Sequence, residues 1–551
     1  MPSTPSPSAV VGWLRRYLRG CIAIDSRALA LFRMAIASLI FADLILRSRN
    51  FHFYYTENGV VPQYLARQLS ADHAVSIFHL TTSTELIAAL FVLHALAAVA
   101  LFVGYRTRLA MVVSFLFIIS LDHHNPLVLS YADILFRLLA FWAIFLPLGE
   151  RWSIDAVHRE RVPRTQIASA ATFFVLAQLV YMYVTNGLIK SVSTTWRQGE
   201  AAPLVLGLDE MTYLLGDTVR HFPELLAIGG LLWYYMMVFG FLLLLTRGWV
   251  RMALLTLYIG GHLSFALTVR IGAFAYVALA GLILFVQTPV WDRCWLDLRR
   301  VDTLDDHLER ARRRLIVAAS AVPDPRSDGI LTPEIRQRTY AVTMAAVVAT
   351  MLFLIVTIGA QAGMAAYEHD DHHDQTLEHH VEDELRATLV ETHGVREVNT
   401  VASGLGIDQP LGWGVFAPEP RTTDRYYVFP AVTESGEEVD VFSDRPMTYD
   451  RPHDELQKQH DTYRQRFYMN SIRRGGYSND AAKLLAEYHC ERWEADHGET
   501  LGVIDMYEVT EAVTEETIVD HEGRDRSYTH VYRHVCDGGA DEPVPRPPED
   551  G

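Results

Sequence analysis

Apolar runs long enough to cross a bilayer, about twenty residues each, recur through the first 360 residues of this 551-residue chain and then stop. In lipid a backbone must satisfy its own N–H and C=O groups, so each run is expected to fold as a helix. Nine runs are legible, near 29–47, 85–104, 108–121, 133–148, 167–190, 225–245, 250–270, 273–290 and 339–360. They predict an all-α polytopic membrane bundle of about nine transmembrane helices, followed by a small α+β extracytoplasmic C-terminal domain. The expected divisions are a cytoplasmic N-terminal segment at 1–24, the transmembrane domain at 25–290 and a cytoplasmic linker at 291–338. A last transmembrane helix at 339–360, an acidic external domain at 361–540 and a disordered tail at 541–551 complete the chain.

Charge divides at the same place. Residues 361–551 carry 41 acidic against 17 basic side chains, a net of −24, whereas the first 360 carry 24 against 31, a net of +7. An acidic domain that prefers arginine to lysine fits a salt-rich habitat, such as that of a halophilic archaeon, and equally a GC-rich genome. No basic patch points to nucleic acid.

Arginine placement orients the spans, because cytoplasmic loops are rich in positive charge. Arg15, Arg16, Arg19 and Arg27 precede the first run, and Arg106 and Arg108 follow the second. Arg151, Arg159, Arg161 and Arg164 follow the fourth, Arg247 and Arg251 the sixth, and Arg299 and Arg300 the eighth. All fall on one side of a nine-span count; Arg47 and Arg49 dissent. The N-terminus is then cytoplasmic and the acidic domain external, in a multi-pass protein of the cell membrane. The first 25 residues lack a long apolar core, so no cleaved signal peptide is expected. Cys21 and Cys294 would be cytoplasmic thiols; Cys490 and Cys536 would be external, either disulfide-bonded or free.

The chain has three lysines against 45 arginines, and Lys190, which ends the fifth run, is the only one before residue 458. A lysine withdrawn from water can lose its proton and become a base, which an arginine does not do. The alternative is a snorkelling lysine whose ammonium reaches water. Tyr183, Asn186, Gly187 and Lys190 recur at three- and four-residue steps, so one helical stripe carries a phenol, an amide, a gap and an amine. That stripe favours a polar cavity opening outward, with Lys190 at its lip as a general base.

Other polar groups inside the runs read differently. Arg33 and Asp43 lie ten residues apart and cannot pair directly, whereas Asp133 and Arg137 have the i,i+4 spacing of a helix-surface ion pair. His94 is a lone histidine and reads as a packing residue. His262 follows Gly260–Gly261, where absent side chains leave room beside the ring, and both functional and packing readings stay open. His369, His372, His373, His379 and His380 are dense enough to bind zinc or nickel, yet match no defined spacing and read as a solvated stem; no metal site is assigned. In the external part, YYVFPAV and VDVFSD read as strands, and QKQHDTYRQRFYMNSIRR and SNDAAKLLAEYHCERWEAD as helices.

Together these residues resemble the horizontally transferred transmembrane (HTTM) family, which includes vitamin K-dependent gamma-glutamyl carboxylase. IDSRALALFRMAIASLIFAD, with Asp25, Arg33 and Asp43, looks like the family's first-span signature. GYRTR and LLAFWAIFLPLGERWSID continue it, and HLSFALTVRIGAFAYVALAG, with His262, Gly272 and Phe274, is similar to the late span. YVTNGLIKSVSTTWRQG is similar to the stretch around the carboxylase's catalytic lysine, with Tyr183, Gly187 and Lys190 in step and Trp196 one residue farther away than in the animal enzymes. GWGVFAPEPRTTDRYYV, with Trp413, Phe416, Pro418 and Pro420, looks like a segment of microbial members. The loop LDHHNPLVLSYAD is longer than the animal counterpart, so His123 and His124 inherit no role. The external domain is much smaller than the animal enzyme's, so recognition of a propeptide-tagged substrate is not implied.

The resemblance implies a reaction in which Lys190 deprotonates a reduced naphthoquinone, such as menaquinol, oxygen adds, and a glutamate γ-carbon is deprotonated and carboxylated. Lys190 and His262 would then be catalytic, with Tyr183, Asn186 and Trp196 lining the cofactor site. The implied partners are membrane lipid and quinone, with a protein or peptide substrate on the outer side. Two other readings remain: a non-enzymatic quinone- or lipid-binding anchor or sensor for the external domain, and a proton-coupled transporter using Asp43, Lys190 and His262. Neither inverted repeats nor paired broken spans support transport.

Overall fold

The computed structural model describes residues 7–71, 73–159, 161–299, 302–324, 332–368, 391–408, 413–474, 478–539 and 543–548. The histidines of the stem, His369 to His380, lie outside the described residues.

A helix stands at each of the nine expected positions: α1 (Ser26–Ser48), α2 (Thr84–Val103), α3 (Thr107–His124), α4 (Tyr131–Ala143), α5 (Ala170–Lys190), α6 (Pro223–Val238), α7 (Gly248–Thr268), α8 (Phe274–Leu282) and α9 (Pro333–Glu368). Their starts follow capping chemistry. Asp25 accepts from the Arg27 backbone N–H, Ser83 caps α2, and Ser130 with Asp133 and Ser169 with Thr172 form capping boxes on α4 and α5.

Among the described residues, five helices are long and apolar enough to cross a membrane: α1, α2, α5, α7 and, within α9, Glu334–Thr357. Phe274–Phe285 and Thr288–Cys294 reach that length only as a pair bent by 97°. α4 spans only 13 residues because the chain leaves the helix at Ile144 and tightens, the Phe145 and Leu146 N–H groups donating to Trp142 and Ala143. α6 is also short, at 16 residues. The nine expected runs are therefore nine helices, of which five have the dimensions of a span.

The helices pack as a closed group. α1 lies against α2 and α8, α3 against α2 and α4, α5 against α4 and α6, and α8 against α4 and α7. At one end, β1 (Ile24–Asp25) pairs antiparallel with β2 (Gln166–Ile167). Here Arg33, fully buried, donates to the carbonyls of Leu148, Arg151 and Trp152, and Glu150 gathers Arg159, Arg161 and Arg164.

The opposite end carries a buried ion network. Asp122 accepts from Arg47 at 2.8 Å and Arg137 at 3.2 Å, while Asp43 accepts from Arg47 at 2.7 Å. Arg47, which dissents from the arginine count, is thus a buried structural cation rather than a topology signal. The expected Asp133–Arg137 pair does not form among the described contacts. Asp133 turns back to cap Ser130 at 2.8 Å, which leaves Arg137 to Asp122.

The C-terminal part is α+β, as expected. Its six-stranded antiparallel sheet is built on β7 (Leu501–Ala512), which carries β3 (Thr423–Val428) and β4 (Pro430–Thr433) along one edge and β8 (Arg526–Val535) along the other. β5 (Glu438–Asp440) and β6 (Arg445–Pro446) extend it beyond β4. Of the helices α10 (Val395–Gly404), α11 (Tyr463–Arg473) and α12 (Ser478–His497), α12 packs on β7 and β8, α11 on the 126–128 turn and α10 on α9. Cys490 of α12 is disulfide-bonded to Cys536 after β8.

Charged side chains join the sheet domain to the helices. Arg464 of α11 reaches Asp43 at 2.5 Å and Asp133 at 2.9 Å, adding to the network at the end of α1. Asp424 of β3 accepts from the backbone N–H groups of Asp209 and Glu210, and Arg524 bridges Asp209 and Asp424 at 3.1 and 3.0 Å. Glu210 takes Arg466 at 2.5 Å and Arg421. Burial opposes the charge on Glu210, but Arg421 and Arg466 outweigh it and hold the carboxyl well below its usual range. Burial and the neighbouring Asp209 push Asp424 the other way, up to about 6.

Candidate functional site

Lys190 is the last residue of α5, and its side chain is only 2% exposed. Its Nζ donates to Asn186 Oδ1 at 2.7 Å and to the Val415 carbonyl at 2.5 Å, and lies 4.4 Å from the centre of the Trp196 ring. No carboxylate among the described residues pairs with it. The amine therefore does not snorkel: dipoles and an aromatic face replace water around it.

The ceiling over Lys190 comes from the sheet domain. Asn186 Nδ2 donates to the Val415 carbonyl at 3.1 Å and to that of Trp413, Trp196 Nε1 donates to the Phe416 carbonyl at 2.8 Å, and Ser193 donates to Glu419 at 2.7 Å. Trp413 itself is fully buried and stacks obliquely on Tyr131, 5.7 Å between ring centres. So Lys190, Asn186 and Trp196 are brought together, each beneath a carbonyl of the 413–416 stretch.

Gly187 is not an opening. A β-carbon there would sit 2.5 Å from the Val238 backbone nitrogen and 2.7 Å from the Met237 carbonyl carbon, so the missing side chain lets the end of α6 press onto α5. The outward cavity expected along the stripe is occupied at this step by backbone.

Tyr183 belongs to a second, deeper cluster. Its hydroxyl lies 2.7 Å from His262 Nε2, both side chains being buried, and His262 Nδ1 is buried without a hydrogen-bond partner. Trp233 stands edge-on to His262 at 5.3 Å, with Phe265 at 6.0 Å and Phe274 at 6.2 Å, and Tyr258 lies 4.7 Å from Tyr183. The room beside Gly261 is filled by Trp233, whose ring a β-carbon would meet at 2.5 Å. A neutral imidazole offers one donor and one acceptor, so with Nε2 engaged one polar atom of His262 stays unsatisfied. Seven residues of helix separate Tyr183 from Lys190, about 10 Å along the axis, and no hydrogen bond or ring contact joins Lys190 to His262 among the described residues.

The remaining sequence candidates resolve simply. His94 is buried and stacks on Phe117 at 5.0 Å, a packing role, but neither ring nitrogen makes the hydrogen bond expected of a buried packing histidine. His123 bonds the Val75 carbonyl at 3.1 Å and His124 faces the Tyr55 carbonyl at 3.3 Å, so both serve the junction with the loop after α1. No group of three or more histidine, cysteine or acidic side chains among the described residues is placed to hold a metal ion.

Sequence alone does not single out Trp233 or the carbonyls over Lys190. Trp233 sits in an apolar run with no polar mark, and a backbone carbonyl carries no residue signature. The 413–420 stretch was signalled only by family likeness.

The family model described as the HTTM domain matches residues 22–291, which takes in Lys190, Tyr183, Asn186, Trp196 and His262 but ends before the sheet domain. No curated protein and no solved structure matches the chain. Residues 22–291 of this chain are thus an HTTM domain.

Proposed function

We propose that the protein is a quinol-dependent carboxylase or oxygenase whose base is Lys190. The observation that carries this reading is an amine buried at a helix end, without a carboxylate among the described residues, in a family related to vitamin K-dependent carboxylase. Arg47 and Arg464 meet carboxylates, whereas buried Arg33 and Arg251 are satisfied by carbonyls as Lys190 is. What sets Lys190 apart is that an amine, unlike a guanidinium, can give up its proton when withdrawn from water.

The side chains around His262 suit a reduced naphthoquinone in chemistry, but Trp233 and the end of α6 fill the room beside Gly261 and Gly187 and would have to move to admit one. The unsatisfied Nδ1 of His262 offers a hydrogen bond to a ring oxygen, and Trp233, Phe265 and Phe274 supply flat apolar walls. When bound, the quinol supplies the reducing equivalents for oxygen. Lys190 takes the hydroxyl proton at Nζ, Asn186 and the Val415 carbonyl direct that nitrogen, and Trp196 keeps water from it. Tyr183 fixes the ring orientation of His262. For a substrate to reach Nζ, the 413–416 stretch has to lift.

The proposal includes nine crossings, a cytoplasmic N-terminus and an external sheet domain. The arginine-rich loops and the Cys490–Cys536 disulfide support that orientation.

A second reading is favoured by the Val415 carbonyl itself: Lys190 would be a tether that fastens the sheet domain to the bundle of a quinone- or lipid-binding anchor. Transport is not favoured, since Asp43 is held by Arg47 and Arg464, away from Lys190 and His262. The deciding experiment incubates membranes containing the protein with menaquinol, oxygen and labelled bicarbonate, then measures quinone epoxide and labelled protein. Epoxide formation lost in Lys190→Ala supports the enzyme. Equal oxygen uptake by parent and variant supports the tether.

A further inference from the structure

At the end of the bundle that carries Glu150, a cleft of about 1000 Å³ separates α9 from α3 and the turn after α4. Its walls are apolar, with Leu109, Met111 and Val112 on one side and Phe145, Leu146 and Leu148 on the other. α9 bridges it through Tyr340, whose hydroxyl donates to the Phe145 carbonyl at 3.1 Å. Within α9, the apolar stretch is only 6% buried, so protein covers little of the helix here.

The mouth is cationic. Arg106, Arg108 and Arg336 line it, all exposed, and no carboxylate among the described residues forms an ion pair with any of them. Arg108 lies over the Tyr340 ring at 4.9 Å, which fixes it at the rim. The carboxylate that does line the cleft, Asp155, is turned to backbone: its oxygens accept from the N–H groups of Arg106 and Thr107, each at 2.9 Å. Arg159 is likewise taken, by Glu150 at 2.9 Å.

Positive groups at the start of one apolar helix and near the start of another sit where phosphates of a bilayer lie, and an apolar cleft opening beside them suits hydrocarbon. A soluble anion would use the arginines but leave the walls uncovered; a zwitterionic lipid would bring its own cation to three guanidiniums. We propose that this cleft binds one anionic membrane phospholipid, its phosphate held by Arg106, Arg108 and Arg336 and an acyl chain laid between α9 and α3. Guanidinium–phosphate hydrogen bonds give the headgroup selectivity.

The test is native mass spectrometry of the full-length protein in mild detergent, with phosphatidylglycerol, phosphatidylcholine or inorganic phosphate added. One phosphatidylglycerol should be retained at least tenfold better than phosphatidylcholine, and phosphate alone should not displace it. Arg108→Ala combined with Arg336→Ala should lose that preference. Val112→Trp should lower retention by filling the cleft while every arginine stays. Retention unchanged in both variants, equal retention of the two lipids, or displacement by phosphate would each overturn the proposal.

Discussion

Lys190 Nζ and the Val415 carbonyl oxygen meet at 2.5 Å although the two residues are 225 positions apart in the chain. One belongs to a membrane helix and the other to the domain after the last helix, so the buried amine is completed only when both are folded together.

Amine labelling should separate the three lysines. Lys458 and Lys483 are exposed, with side chains 60% and 53% accessible, whereas Lys190 is covered. A small acylating reagent followed by peptide mass spectrometry should modify the first two rapidly and Lys190 at least tenfold more slowly. Removing the Phe416–Trp196 contact with Trp196→Ala should narrow the difference. Uniform labelling in the parent would show that the amine is open to solvent.

Gly187→Leu should damage the bundle. Its β-carbon alone would lie 2.5 Å from the Val238 nitrogen, and backbone does not yield as a flexible side chain does. Overpacking of this kind costs about 1–3 kcal/mol or more. A thermal melt in detergent should fall by several degrees, and an unchanged midpoint would mean α6 is not pressed against α5.

Tyr183→Phe removes one hydroxyl and leaves His262 buried with both ring nitrogens unpaired. An unsatisfied buried group costs about 1–3 kcal/mol. The variant should be less stable than the parent, and His262→Phe in the same background should recover most of the loss. If the double variant is no better than Tyr183→Phe, the pair is not the source of the cost.

How much of this was readable beforehand depends on what kind of information each contact uses. Helix positions follow from apolar length, and all nine runs contain helices, because lipid or core burial and backbone satisfaction act locally. Length alone did not reveal that α4 stops at Ala143. The stripe of Tyr183, Asn186, Gly187 and Lys190 was legible as helical spacing, and all four are buried as a face. What faces each of them was not: α6 backbone at Gly187 and the carbonyls of 413–416 are set by tertiary approach. Asp133 illustrates the same limit, since i,i+4 spacing with Arg137 is overridden by its own helix cap and by an arginine more than 300 residues later.

Arg464→Met should loosen the sheet domain. Asp43 would keep Arg47, but Asp133 would lose its closest ion pair, the next being Arg47 at 3.6 Å. These pairs are part-exposed, with side chains of Arg464 and Asp43 16% and 30% accessible, so the cost should fall below the roughly 3–5 kcal/mol of breaking a fully buried pair. Limited proteolysis should cut the sheet domain faster than in the parent, with α1 and α5 still protected.

Acid should weaken the same junction. His460 is buried and, chiefly through burial, titrates at about 3 rather than 6.5, despite the nearby Glu210. Its folded value is depressed, so the unfolded chain binds the extra proton between those limits and stability falls as pH drops below 6.5. Glu210, also depressed, adds loss in the same direction once pH nears the ordinary carboxylate range. The slope from one group is at most about 1.4 kcal/mol per pH unit. Asp424, raised to about 6, takes up a proton in the folded state and offsets part of this loss, so the His460 contribution is read by difference. In denaturant melts between pH 7 and 5, His460→Gln should lose less stability than the parent.

The helix that bears the sheet domain, α9, lends little surface to its neighbours, and it touches the body near Phe145 through one hydroxyl and one ring. A strut so loosely shouldered is steadied mainly by the lipid around it. Changes in bilayer thickness or tension would therefore tilt α9 before they disturbed any other helix. That strut is the chain's path into the domain whose carbonyls cover Lys190, so the cover over the amine is joined to the bundle through the least buried of the five long helices.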